Sequence, residues 1–110
     1  MRAGDLRHRV TFERKVTTNE PGSNAEIVTW VEFVTVWAAI KDLSVREFIA
    51  ALSTQSEVTC RIVTRYRDGF TADMRARHDG KIYNLHGVLR DPTSGKEYLT
   101  FPASEGVNDG

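Results

Sequence analysis

Residues 29–52 read TWVEFVTVWAAIKDLSVREFIAAL, and residues 57–75 read EVTCRIVTRYRDGFTADMR. From Ile27 to Ile40 apolar side chains occupy both parities, so a strand over residues 27–40 needs cover on both faces. A barrel interior can supply one cover, and the helix that follows or another subunit the other. Trp30 and Trp37 lie an odd number of residues apart. An unbroken strand points them to opposite faces, and a bulge near Glu32 would change this. Two readings stand: both tryptophans in the core, or one of them in an interface, where aromatic side chains concentrate at the buried centre.

The second half of the same stretch turns helical. Ser44 stands three residues before Glu47, the S-x-x-E spacing in which each side chain satisfies a free backbone N–H of the other residue. Val45, Phe48, Ile49 and Leu52 then recur at three- and four-residue intervals and make one apolar stripe, while Arg46, Glu47 and Ser53 face elsewhere. The helix is expected to end near residues 54–56. About ten residues of helix are marginal alone in water, so tertiary or quaternary packing has to hold them.

Working outward, a strand is expected over residues 57–67. It sets Val58, Cys60 and Ile62 against Arg61, Arg65 and Arg67. Asp68-Gly69 makes a turn, and residues 74–78 form a fourth strand with Arg75 and Arg77 on one face. Asp79-Gly80 is a tight hairpin signal into a fifth strand over 81–89, and a turn at 91–96 leads to a last strand over 97–101. On the N-terminal side, Leu6, His8, Val10 and Phe12 alternate with polar neighbours, a strand over about residues 6–15. Residues 17–26 are expected as an exposed loop, and residues 104–110 as a flexible tail. The fold class is all-β with one short helix: a small antiparallel β-barrel or sandwich of about six strands, with the helix inserted between strands two and three.

Composition narrows the function. The 110 residues suit one domain, and 15 basic side chains balance 15 acidic ones, so any electrostatic role must come from local pattern. The single cysteine, Cys60, excludes an internal disulfide and points to a cytoplasmic origin. The charged N-terminus lacks the apolar run of a signal peptide, and no stretch is apolar enough for a membrane helix. The three histidines show no metal-ligand spacing, Cys60 packs by parity with Val58 and Ile62, and no phosphate-binding glycine loop or nucleophile elbow occurs. No residue is nominated as catalytic, cofactor-binding or metal-binding, and an enzyme is not expected.

The one charged constellation is Arg61, Arg65, Arg67, Arg75 and Arg77. Three uses compete for it. It can be a solvated face paired across strands with acids such as Glu57 and Asp73, it can fork onto carboxylates of a neighbouring subunit, or it can bind phosphate. With Trp37 these arginines are the candidate subunit interface.

The fragments GDLRHRVTF, TWVEFVTVWAAIKDLSVREFIAA, VTCRIVTRYRDGFTADMRARHDGKIYNL and YLTF, in that order and spacing, resemble the head-tail joining proteins of long-tailed phages and their prophages. The resemblance runs over residues 3–105. It carries on Gly4 with Leu6 and Arg7, Trp37-Ala38 with Ile40, Leu43-Ser44 with Glu47, Arg65-Tyr66-Arg67, Met74-Arg75, and Gly80-Lys81 with Tyr83.

What the resemblance implies is a structural part of the virion neck, assembled in the host cytoplasm. It implies a homo-oligomeric, dodecameric ring between the portal or its adaptor and the tail terminator protein, with non-specific contact to packaged DNA and no membrane. In stopper members a segment of each subunit closes the DNA channel. By position that segment is 41–56, with Ser44, Arg46, Glu47 and Phe48 as its channel-facing residues, and 17–26 is the arm toward adaptor or tail. The alternatives are another neck or tail part, such as a tail terminator or portal adaptor, and a nucleic-acid-binding barrel of the OB type. The OB reading is disfavoured because the strand-two aromatics are expected to stand apart from the arginines of strands three and four and because the charge is balanced.

Overall fold

The computed structural model describes residues 3–106. After a short 3-10 turn (Ala3–Asp5), the chain forms β1 (His8–Asn19), β2 (Glu26–Asp42), α1 (Val45–Ser53), β3 (Cys60–Arg65), β4 (Arg75–His78), β5 (Lys81–Leu85), β6 (Leu89–Arg90) and β7 (Tyr98–Glu105). All pairings are antiparallel, in the order β3-β2-β1-β4-β5-β7-β6, and β3 also pairs with β7. The hydrogen bonding therefore closes into a ring. It is not a clean barrel, because β6 lies beside β7 on the β5 edge and because β1 and β2 run on past the ring.

That extension is a two-stranded ribbon. β1 pairs with β4 only over Thr11, Phe12 and Glu13, whereas Arg14 to Asn19 pair with residues 26–31 of β2. Six residues at strand rise carry the ribbon about 20 Å outward. Its turn is closed by the Glu20 N–H donating to the Ala25 carbonyl at 2.7 Å, with Gly22 and Asn24 at positive φ. Thr17, Thr18, Asn19 and Glu26, expected in a loop, are thus exposed strand residues. Strand pairing persists there because Val16, Thr17 and Thr18 face a partner chain rich in β-branched residues, Ile27, Val28, Thr29 and Val31.

The ring's interior is filled by alternate residues of every long strand. Val10, Phe12, Ala38, Ile62, Ala76, Phe101 and Ala103 are fully buried. Phe12, Phe33, Phe70 and Phe101 pack as an aromatic cluster with centroids 4.8–5.3 Å apart, three of the four contacts edge-to-face. A second, smaller cluster of Leu6, Ala39 and Val63, with Tyr98 against it, lies on the outer side of the wall. Ala39 and Val63 pair directly there, and the segment before β1 covers them.

Several boundaries differ from the sequence reading. β3 is shorter than 57–67, since Thr59 and Tyr66 instead give their N–H groups to Ala103 and Glu97 carbonyls just outside the ladder. The expected fifth strand over 81–89 breaks into β5 and β6. β7 continues past 101, so Ser104 and Glu105, expected in a frayed tail, pair with Asn84 and Tyr83. Residues 107–110 of that tail lie outside the described residues. The Asp79-Gly80 hairpin forms as its residue types dictate, both at positive φ.

The helix has the expected start. Ser44 accepts from the Glu47 N–H at 3.2 Å, and the Glu47 carboxylate reaches back to the Ser44 N–H at 3.4 Å. Of the two ways of holding it, tertiary packing against the ring is not what the structure shows. No residue of α1 is buried, and Val45, Phe48, Ile49 and Leu52 are 46–78% exposed.

Three outcomes follow from this fold. Gly69 sits at φ +101°, and a Cβ placed on it would lie 2.8 Å from Phe33 Cζ, whose ring Phe70 holds. Gly69→Ala should cost more than about 1 kcal/mol in urea unfolding. Ser44→Ala should speed amide exchange through α1, where a lost cap costs about 1 kcal/mol, and leave the global melting temperature nearly unchanged because the helix shares no core with the ring.

Asp91 is the third. Its carboxylate accepts backbone N–H groups from Glu97 and Ser94 at 2.8 Å, and from Gly95 and Tyr98 at 3.2 and 3.3 Å. These bonds, Glu97 and Ser94 foremost, hold its carboxyl far below the usual carboxylate range. A depressed carboxylate stabilises the fold above the ordinary carboxylate pKa, and loses that contribution as pH falls toward the folded value. Asp91→Ala should therefore melt below the parent at pH 7, with the gap narrowing steadily as pH drops below 4.

Candidate functional site

The alternation of β1 decides what the outer wall presents. Arg9, Thr11, Glu13 and Lys15 share one face, and their partners across the ladder are Trp37, Thr35, Glu32 and Trp30. Phe33 has no partner: the register shifts between Phe12 and Glu13, and Phe33 is the extra residue. The bulge reverses the parity of everything before it, so Trp30 and Trp37 stand on the same face. Neither belongs to the core. Trp37 is 54% exposed and Trp30 half-buried.

Each tryptophan carries an arginine. The Arg9 guanidinium lies 5.2 Å from the Trp37 ring centroid, and Arg75 lies 4.4 Å from that of Trp30. The expectation that the strand-two aromatics stand apart from the arginines is thus overturned, because ring closure brings β4 alongside β1 and the bulge turns Trp30 toward it. Arg75 also donates from Nε to Glu13 Oε1 at 2.8 Å, and Arg77 Nη2 lies 3.8 Å from Glu13 Oε2. Glu13 and Arg75 are nearly buried, with side chains 8% and 13% exposed. A pair so placed contributes little net energy intact, but removing one partner leaves a buried charge at a cost of about 3–5 kcal/mol.

The five arginines do not form one constellation. β3 and β4 are separated by β2 and β1, so Arg61 and Arg65 sit apart from Arg75 and Arg77. The acids that meet them are not Glu57 and Asp73. Asp73 accepts from the Thr71 hydroxyl instead. Glu13 takes Arg75 and Arg77, and Glu47 takes Arg61 in a two-point fork, Nη1 to Oε2 at 3.0 Å and Nη2 to Oε1 at 3.1 Å. Hydrogen bonds from Ser44, with the Arg61 charge behind them, hold the Glu47 carboxyl below its usual range. The fork fastens α1 to the β3 wall.

Arg65 and Arg67 remain, both exposed and without an acidic partner among the described residues. With Arg9 they rim a cleft of about 340 Å³ whose floor includes Leu6, Val36, Trp37 and Tyr66. Sequence reasoning missed Arg9 and Glu13. Their alternation with Val10 and Phe12 places both on the outer face, but no local pattern announces which strand lies beside β1.

A second cavity of about 360 Å³ opens where β2 ends and β3 begins, lined by His8, Asp42, Cys60, His78, Asp79 and Glu105 among others. Its thiol is a poor nucleophile: Cys60 is buried, burial pushes its pKa up, and Sγ rests 3.7 Å from the Ala103 carbonyl. The His8 and His78 rings meet edge-on at 5.0 Å, and His78 Nδ1 is 2.9 Å from the Arg9 carbonyl. Among the described residues no group of three or more His, Cys, Asp or Glu is placed to hold a metal ion, and no helix is long and apolar enough to cross a membrane.

Comparisons with known proteins bear on the fold and the family. None of the curated proteins matches the chain. Among solved structures, the solution structure of a protein from Shigella flexneri 2a is similar over 99% of this chain and 100% of that one, with a TM-score of 0.77 and 26% identity. A chain in the virion of the native gene transfer agent particle shares the fold at a TM-score of 0.61 and 19% identity, covering 94% of this chain and 97% of that one. The model of the phage head completion protein family matches residues 1–106, and with its ring-bonded sheet and single inserted helix this chain belongs to that family.

Proposed function

We propose that this chain is a neck subunit that joins the phage head to the tail, forming a ring between portal or adaptor and tail terminator, with the α1 segment closing the DNA channel. The observation that carries the reading is α1 itself. A helix whose four large apolar residues all face solvent, tied to its own wall by the Glu47–Arg61 fork, is built to be covered by something else. Membership of the head completion family supports the setting.

The candidate residues then take separate parts. Ser44 and Glu47 build and fasten the helix, while Arg46 and Phe48 are the side chains it holds out. Trp37, Arg65 and Arg67 are open to a neighbour, whereas Arg61, Arg75 and Arg77 already meet acids of their own chain. The 17–26 tip of the ribbon is the arm toward adaptor or tail. The work is mechanical, with no residue assigned to catalysis.

Replacing residues 45–53 by a flexible Gly/Ser linker separates stopper from passive joint. The stopper reading expects heads that fill with DNA and then leak. Full DNA retention with the linker in place would reduce the chain to a passive joint, and finding it outside the neck in a virion reconstruction would sink the proposal as a whole.

A further inference from the structure

Two exposed surfaces among the described residues match each other. One is the α1 stripe of Val45, Phe48, Ile49 and Leu52. The other is the cleft floored by Trp37 and rimmed by Arg9, Arg65 and Arg67. We infer that α1 of one copy seats in the Trp37 cleft of the next, the apolar stripe against the tryptophan and the helix C-terminus toward the arginines.

Charge sets the orientation. The last carbonyls of a helix carry about half a negative charge, and α1 has no basic residue in its last turn to balance it. Glu57 follows shortly after, exposed and with no cationic partner among the described residues. The three arginines of the cleft supply the missing positive charge; no carboxylate lines the cleft itself, although Asp68 accepts from the Tyr66 hydroxyl at 2.6 Å. The stripe finds apolar surface there as well: Leu6, Val36 and the part of the Trp37 ring that the Arg9 guanidinium leaves open face Phe48 and Ile49.

The helix cannot fill the cleft of its own chain as it stands. None of the residues lining the cleft comes from α1, and the Glu47–Arg61 fork pins the helix start four residues, about 13 Å, before Arg65 along β3. The contact is therefore between copies. Because each copy uses two different patches, the junction is head-to-tail and repeats from one copy to the next. It deepens the neck reading by naming which surfaces of neighbouring subunits meet, and rests on that reading for its setting.

The test uses two variants of the full chain, each changed at one exposed patch: Ile49→Glu spoils the helix stripe and Trp37→Ala empties the cleft. Unfolding midpoints equal to the parent's establish that both remain folded. Self-association is then followed by sedimentation across a concentration series reaching about 1 mM, the upper end of typical effective concentrations for linked sites. The parent is expected to form dimers and larger species. Each variant alone should associate at least about thirtyfold more weakly, the loss expected of a residue at an interface centre. An equimolar mixture of the two should recover dimers and nothing larger, because only one junction in each pair is intact.

A parent that stays monomeric throughout overturns the inference. So does a Trp37→Ala chain that associates like the parent, which would mean that helices pair with helices. If Arg65→Glu abolishes binding of single-stranded oligonucleotide while leaving self-association unchanged, the cleft is a nucleic-acid site and the inference again falls. Incorporation into virions separates this from the neck reading. Trp37→Ala chains that enter the neck normally would remove the contact and spare the function, whereas a self-associating parent absent from virions would do the reverse.

Discussion

One extra residue in β2 organises the molecule. Phe33 has no partner in β1, and the skip it introduces between Phe12 and Glu13 lets a strand with apolar residues on both parities serve two environments. On the ring side of the bulge, Val34, Val36 and Ala38 point inward, and Thr35 and Trp37 outward. Beyond it the parity reverses, so Trp30 and Glu32 join Trp37 on the outer face. Phe33 itself packs against Phe70, and Gly69 can approach its ring because glycine has no Cβ. Without the skip, Trp30 would turn away from Arg75, and the Glu13–Arg75 pair would lose the ring that covers it.

The closed ladder explains why so much of the surface is left unclaimed. Once β3 pairs with β7, the ring closes, and its interior is filled by side chains of the strands and the loops between them, from Ala38 and Val10 to Phe12 and Phe101. None of that core comes from the helix. α1 is held by its cap and by the Glu47–Arg61 fork, whose carboxylate and guanidinium are each about 40% exposed and so partly screened by water. Its stability is accordingly local, and a partner that covers Phe48 and Leu52 adds what the fork does not.

How much of this was legible in the sequence depended on range. The capping box, the Asp79-Gly80 hairpin and the inward set Val10 and Phe12 are local patterns, and each formed as its residues dictate. The ribbon was harder to see. Thr17, Thr18 and Asn19 look like loop residues alone, but their pairing with Ile27, Val28 and Glu26 extends the hairpin. Pairings across the ring were out of reach. Which acid meets Arg75 depends on β4 returning beside β1, some sixty residues away in the chain, and Glu13 carries no mark of that. The arginines read as one group because their strands follow one another in sequence, yet two other strands separate them in space.

Ring closure also limits how such a subunit can meet its neighbours. An open sheet edge invites pairing with another chain, and here the ring offers none over most of its circumference. Open backbone edges remain on β6, whose sole partner is β7, on residues 33–37 of β2 opposite β3, and in the ribbon, where β1 beyond Glu13 has β2 as its sole partner. The ribbon edges carry Arg14, Lys15 and Glu32, charges that discourage unplanned strand addition. With the edges this short or charged, side chains and α1 are the larger contact surfaces of the ring body. That singles out the few places where large apolar side chains stand free: Trp37, the α1 stripe, and Leu89 and Ile27.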